Sequence, residues 1–355
     1  RGTALAASEA ALLAVAAAEA RLSTWREDSE LALLLAAPAG VPRALSPRLA
    51  EDLAAAERCW RETDGAFDPT VGALTAAWGL RTGGREDGGA PPRDELARAL
   101  AVTGMDHVRL ELFSEGPGQL RRLAAGVVID EGGFGKGAGL RDALAAAEEA
   151  GATGVVLDFG GQVALSGEEV RRVPVADPRQ RGRAAVVLAL EGGSLATSGN
   201  GERGIVAGGV PRGHLLDPAS GEPVADFGTL AVWTADPLRA DCLSTGLYVL
   251  GPDAALAWAA EHPGVEVLVL ESAGEGSGDG LRARATQGMA ARVAAWADGV
   301  EWVEEEGLAW SPVPAAVAEA DEEPGRRSLI GQEHGPAAPP NPAPRGGARS
   351  EGQYR

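Results

Sequence analysis

Cysteine is nearly absent: Cys59 and Cys242 are the only two in 355 residues, and they form no Cys-x-x-Cys pair. A disulfide framework is excluded. Positive charge is also short, with 32 Lys and Arg against 51 Asp and Glu, a formal net charge of −19. Phosphate contacts need a basic surface, so the balance argues against a nucleic-acid binder. A nucleotide ligand would then need local cations or a metal. No run of 18 consecutive apolar residues occurs, so no transmembrane segment is expected. Met is missing from the first position, where Arg1 stands, and the expectation is a processed or incomplete chain. No internal repeat is found. What is plentiful is small: 50 Gly and 23 Pro imply many turns, while 45% hydrophobic residues suffice to fill a core. The length suits one large domain or two ordinary ones.

Residues 4–22 are rich in Ala and Leu and read as a helix. Ser46 is placed to cap a second helix running from Pro47, at its first turn, to Thr63. A Gly/Pro loop from Thr82 ends in a helix capped at Asp94. Strand-like runs are Val108–Leu112, Gly126–Ile129, Gly154–Phe159, Arg172–Ala176, Ala184–Leu190, Leu230–Thr234 and Val265–Leu270, with helices over Asp142–Ala150 and Ala240–Leu250. Strands outnumber helices in the second half and their order is mixed, which favours an α+β fold over a doubly wound sheet. The foldable domain is expected over residues 1–317. Residues 318–355, with Pro339-Pro340-Asn341-Pro342, read as a Pro/Gly-rich disordered tail.

The chemistry concentrates in Asp130-Glu131-Gly132-Gly133-Phe134-Gly135-Lys136-Gly137: an acid after an apolar run, then glycines, then a cation. Free N–H groups and a Lys suit phosphate oxygens, although such a run also serves as a plain turn. The spacing fits neither a Walker A loop nor the dinucleotide fingerprint. Asp241 and Thr245 are four apart in a helical run, which stacks both oxygens on one face. With Ser244 they make either a hard-oxygen surface suited to Mg²⁺ or a helix start with a capping acid. His214 precedes the turn Asp217-Pro218-Ala219-Ser220-Gly221 and is either a base near neutral pH or a surface residue. Asp158-Phe159-Gly160-Gly161 and Ala196-Thr197-Ser198-Gly199-Asn200 read as small-residue loops. Trp25 offers a flat ring for stacking; Asp28 and Ser29 beside it read equally well as turn or cap residues.

Taken in order, Ser-Thr-Trp (23–25), Phe-Asp-Pro-Thr-Val-Gly (67–72), Asp-x-Gly-Gly-x-x-Lys-Gly (130–137), Asp-Phe-Gly-Gly (158–161), Ala-Thr-Ser-Gly (196–199), His-x-x-Asp-Pro-x-Ser-Gly-x-Pro (214–223) and Ala-Asp-x-x-Ser-Thr (240–245) resemble the ApbE family of FAD:protein FMN transferases. The resemblance spans about Gly2 to Leu270. It implies a two-part α+β fold with FAD in a central cleft between mixed sheets flanked by helices. It also implies Mg²⁺-dependent transfer of FMN to a Thr or Ser hydroxyl of an acceptor protein, such as a subunit of a membrane redox complex, with release of AMP. Hydrolysis of FAD to FMN and AMP, or flavin binding without catalysis, are the alternatives.

By the same resemblance, Gly133, Asp241 and Thr245 hold the metal, with Ser244 as a further oxygen. Trp25, Ala66, Phe67, Asp68, Asp130, Lys136 and Leu216 contact FAD, and His214 activates the acceptor hydroxyl. Relatives imply a periplasmic or membrane-anchored location, and no leader is readable here. The chain departs from the family pattern at Arg1, Leu35, Glu131, Ala138, Arg141 and Asn200, and Glu131 adds a second acid beside a phosphate site.

Overall fold

The computed structural model describes residues 2–114, 116–200, 204–272 and 280–303. The segment read as a tail, 318–355, lies outside them. The chain opens with α1 (Gly2–Leu22), α2 (Glu30–Ala36), β1 (Arg43–Ala44), α3 (Pro47–Glu62), α4 (Gly72–Ala77) and α5 (Arg93–Leu100). The hairpin β2 (Val108–Glu111) and β3 (Gln119–Arg122) leads to α6 (Gly135–Glu149). Then come β4 (Val155–Asp158), β5 (Gln162–Ser166), β6 (Arg171–Asp177), β7 (Gln180–Leu190), β8 (Gly193–Gly199), β9 (Gly204–Ala207), β10 (Val210–Gly213) and β11 (Gly228–Thr234). The described part finishes with α7 (Pro237–Leu250), α8 (Pro252–Glu261), β12 (Glu266–Ser272), β13 (Leu281–Ala285), α9 (Gln287–Ala290), β14 (Val293–Trp296) and β15 (Val300–Trp302).

A seven-stranded sheet in the order β15-β13-β12-β11-β8-β5-β4 forms the centre, antiparallel except for the β13–β15 pair. Period-2 alternation buries both of its faces. Ala231, Leu268 and Leu270 pack with Val175, Val186 and Leu188 of the three-stranded sheet β14-β7-β6. Leu230, Val232, Val267 and Val269 point the other way, onto Leu243 and Leu247 of α7 and Leu256 of α8. The opposite side of α7 carries Leu238 and Cys242 into a further core with Leu49 and Leu53 of α3, Leu120, Val127, Ile129 and Phe134. A helix apolar nearly all round is a buried helix, and α7 is clamped between two cores. That rigidity fixes the direction of its few polar side chains.

The α+β architecture agrees with the expectation, but several local readings change. Gly126–Ile129 makes no strand; it contributes one isolated bridge, Val128 to Val71. Ala196–Gly199 is not a loop but the end of β8, paired with β11. Asp94 does not cap α5, because Pro92 holds that position and Asp94 lies in the first turn. The helix expected from Asp142 extends back to Gly135. Of the two alternatives for Ser29, the cap is realised: its side chain accepts from Ala32 N at α2.

One helix bears on the expectation of no apolar spanning segment without overturning it. Helix α1 is 21 residues long with mean hydropathy 1.4, long and apolar enough to cross a membrane by length and composition. Ser8, Glu9 and Glu19 interrupt its apolar run and hid this in the sequence. In the fold its alanines Ala7 and Ala11 pack on Ala143 and Ala147 of α6. At its end Arg21 pairs with buried Asp52 of α3 at 2.7 Å and with Asp142 of α6 at 2.7 Å.

Candidate active site

The site is assembled at the start of α7. Asp236 caps this helix, its carboxylate accepting from Arg239 N at 2.8 Å, with Pro237 in the first turn. Asp241 therefore lies one turn inside and is not the capping acid. Its carboxylate accepts from Lys136 Nζ at 2.8 Å and from Gly137 N at 2.9 Å. Lys136 is the only lysine in the chain. The Gly137 bond requires α6 and α7 to touch. A Cβ at Gly137 would stand 2.4 Å from the Pro237 carbonyl oxygen and 2.6 Å from Leu238 Cα, so only Gly fits. Thr245 follows one turn after Asp241, and its Oγ1 lies 3.4 Å from where a Gly133 Cβ would be. Ser244 points elsewhere: its hydroxyl donates to the Asp241 carbonyl at 3.0 Å, accepts from Ser198 and is buried outside the cavity wall.

Above these groups opens a cavity of about 510 Å³. Trp25, Ala66, Asp68, Asp130, Gly133, Lys136, His214, Leu216, Asp241 and Thr245 all line it. Nearly all of the candidate residues, scattered over more than 200 positions of sequence, thus converge on one space. Phe67 does not line it; its ring is buried in the core beside Cys242. Asp68 is also largely buried, and burial pushes its carboxyl above the ordinary value against the hydrogen bonds from Thr70.

On one wall Asp130 accepts from Gly132 N at 2.8 Å and from Arg81 at 2.9 Å. Glu131 turns toward the loop after α1 and accepts from the amide and the hydroxyl of Thr24. Arg81 also donates to the Thr24 hydroxyl, and its guanidinium lies 5.1 Å from the Trp25 ring centre. On the other wall His214 follows β10. Asn200 braces this segment, accepting from Leu215 N at 3.3 Å and donating to the Val224 carbonyl at 2.9 Å. The Asp217–Gly221 turn is held from below by Trp78, whose indole N–H donates to the Gly221 carbonyl at 2.7 Å.

Sequence reasoning passed over Arg81, Asp177 and Asp226, which also line the cavity. The Arg179 guanidinium holds Asp177 below its ordinary carboxylate range. Asp226 accepts from the Tyr248 hydroxyl at 3.0 Å; burial first, and Asp226 second, raise the Tyr248 phenol. None of the three belongs to a motif, so only the fold brings them in.

Residues 3–269 match the ApbE family. The chain belongs to this family. It is 30% identical to an FAD:protein FMN transferase of Haemophilus influenzae over 67% of this chain and 70% of that protein. With the enzyme of the same name from Treponema pallidum it shares 31% identity over 70% of this chain and 72% of the relative. Its fold is similar to the flavin transferase ApbE from Vibrio cholerae, with TM-score 0.67 and 25% identity, covering 79% of this chain and 88% of that one. It is likewise similar to the ApbE protein of Thermotoga maritima, with TM-score 0.68 and 28% identity over 78% and 87%.

Three positions at which the resemblance leads one to expect other residues are engaged in the packing. Arg141 pairs with Asp52, and Asp142, displaced by one position, binds Arg21 and Arg48. Ala138 is wholly buried in α6. Glu131 lies 3.8 Å from Arg81 and accepts from the Thr24 hydroxyl.

The donor set fits a hard cation. Gly133 offers a carbonyl, Thr245 a hydroxyl and Asp241 a carboxylate, all oxygen. No group of three His, Cys, Asp or Glu side chains suited to a metal occurs among the described residues. A cation here would hold one carboxylate and neutral oxygens and leave positions for phosphate oxygens, as Mg²⁺ prefers.

Proposed function

We propose that this chain transfers FMN from FAD to a Thr or Ser hydroxyl of an acceptor protein, in a Mg²⁺-dependent reaction that releases AMP. As an ApbE-family member it is a transferase, and FAD is its flavin substrate. The observation that carries the finer reading is the convergence of Asp241, Thr245, Gly133, Lys136 and His214 on one cavity.

Phosphoryl transfer asks mainly for charge neutralisation and in-line positioning. Mg²⁺ bound by Asp241, Thr245 and the Gly133 carbonyl would neutralise pyrophosphate charge. Lys136 supplies a cation beside the same oxygens, and the glycines between Asp130 and Gly137 let the substrate approach the main chain. Ala66, Asp68, Leu216 and Trp25 border the space for the rest of FAD, while Phe67 supports it from the core. Ser244 acts by holding the α7 backbone at Asp241. His214 takes the proton of the acceptor hydroxyl as its oxygen bonds to the FMN phosphorus and the pyrophosphate P–O bond breaks, AMP leaving with the bridging oxygen. The acceptor is a protein supplied in trans.

Incubation with FAD, Mg²⁺ and a Thr-containing acceptor peptide tests this. A peptide mass gain equal to FMN, with AMP released, is the expected result. AMP without mass gain would make the protein an FAD pyrophosphatase, and bound but intact FAD would make it a flavin binder.

A further inference from the structure

Glu131 is an acid lining the cavity near Lys136, where the proposed reaction brings an anionic pyrophosphate, and no catalytic step uses it. Placing a second carboxylate beside anionic oxygens works against binding unless the charge is engaged elsewhere. It is engaged. Both carboxylate oxygens are turned onto Thr24, one accepting from its amide at 3.1 Å and the other from its hydroxyl. Thr24 is joined in turn to Arg81 through its hydroxyl and, at 3.2 Å, through its carbonyl. Arg81 closes the ring by donating to Asp130 at 2.9 Å. Four polar groups from three separate segments, the loop after α1, the turn after α4 and the glycine-rich turn, are thereby tied together at the cavity wall.

The residue that this ring leaves over is Trp25, adjacent to Thr24. Its side chain is 70% exposed, yet it lines the cavity and lies under the Arg81 guanidinium. An exposed indole on a loop has many orientations to lose when it meets a ligand. Fixing the backbone one residue away, and setting a cation over the ring, removes that freedom beforehand.

We infer that Glu131 and Arg81 form a positioning latch that presets Trp25 against a flat ring of the bound nucleotide. Glu131 also lines the cavity, but both its carboxylate oxygens are taken by Thr24, and it acts through that residue. Arg81 faces both acids of the wall, Asp130 at 2.9 Å and Glu131 at 3.8 Å, so Arg81 keeps a partner when Glu131 is replaced, and what is lost is the hold on Thr24. This rests on the FAD reading above.

The test is FAD binding, followed by flavin fluorescence, in the unsubstituted protein and in Glu131→Leu, Glu131→Gln, Trp25→Ala and the Glu131→Leu/Trp25→Ala double variant, with thermal midpoints alongside. Glu131→Leu is expected to weaken FAD binding about tenfold, the scale of losing hydrogen bonds to a charged group. Glu131→Gln keeps the shape and an acceptor for the Thr24 amide and recovers most of that loss. In the Trp25→Ala background Glu131→Leu has little further effect, because the group it positions is gone. In turnover, the KM for FAD rises by the same factor while kcat changes less. Unchanged FAD affinity in Glu131→Leu, or losses that simply add in the double variant, overturns the latch while the flavin reading stands. Failure of the unsubstituted protein to bind FAD overturns both.

Discussion

Asp241 carries the most at the scale of single residues. Its carboxylate bridges Lys136 and Gly137 while almost fully buried, so Asp241→Ala removes the proposed cation ligand and leaves a lysine unmatched. Transfer should fall by about two orders of magnitude or more, the scale of losing a preorganised charged group, as measured by peptide mass gain; turnover at the unsubstituted rate would sink the metal assignment. His214→Ala should lose activity across about pH 6 to 9, the range in which histidine acts as a base, and full rates there would remove it from the reaction. The two cysteines face the opposite way from chemistry. Burial, then the proximity of Cys59, pushes the Cys242 thiol well above its ordinary value, and both cysteines are buried. Neither should react with a thiol reagent at neutral pH until the protein unfolds. Much of this scale was legible: the four-residue spacing of Asp241 and Thr245 predicted a shared face. What was not legible was direction. Ser244 and Phe67 adjoin the right residues in sequence, but helix rotation and core packing turn their side chains away from the cavity.

At the scale of elements, α1, α3 and α6 are pinned behind the site by an ion-pair group of Arg21, Arg48, Arg141, Asp52 and Asp142. Asp52 is completely buried, and burial raises its carboxyl despite Arg21 and Arg141. Asp52→Ala would leave Arg21 and Arg141 with Asp142 as their remaining acid and should cost about 3–5 kcal/mol, seen as a lowered denaturation midpoint. Asp142 behaves differently. Burial works against its ionisation, but the hydrogen bonds and charges of Arg48 and Arg21 outweigh it and hold the carboxyl below its ordinary 3.8. A folded value below the unfolded one means stability that is complete above the unfolded value and lost as pH falls through the folded one. Asp142→Asn should therefore flatten the acid limb of a stability-against-pH curve below about pH 4. The strands of the second half were read from their β-branched runs, with ends shifted by a residue or more. Seven escaped, β5, β8, β9, β10 and β13 to β15, because polar and glycine residues break their alternation and sheet pairing overrides propensity. The Val127–Ile129 run deceived in the other direction: its apolar residues serve the core beneath the glycine-rich turn without entering a sheet.

For the whole molecule, a net charge of −19 meets an anionic substrate. Among the described residues, the Lys and Arg side chains that line the cavity are Lys136 and Arg81, and they attract locally while the far field repels. Added salt shortens the Debye length to about 10 Å at 0.1 M and screens the far field first. The association rate of FAD should therefore rise with ionic strength from low salt, measured by stopped-flow flavin fluorescence; a falling rate would show that the local cations dominate at long range. The α+β class was legible from the mixed order of strands and helices. The depth at which α7 lies between two cores was not, because a helix apolar on all sides has no face in sequence to say what it packs against.

The lone ε-amine of Lys136, 39% exposed beside the Asp241 carboxylate, makes the chain a singly addressable substrate for amine chemistry. A protease specific for lysine has one place to cut, between Lys136 and Gly137, at the very joint where α6 meets α7. An acylating reagent likewise has one side-chain amine to find. Occupancy of the nucleotide cleft can thus be read as protection of a single bond or a single amine, without any tag or engineered residue.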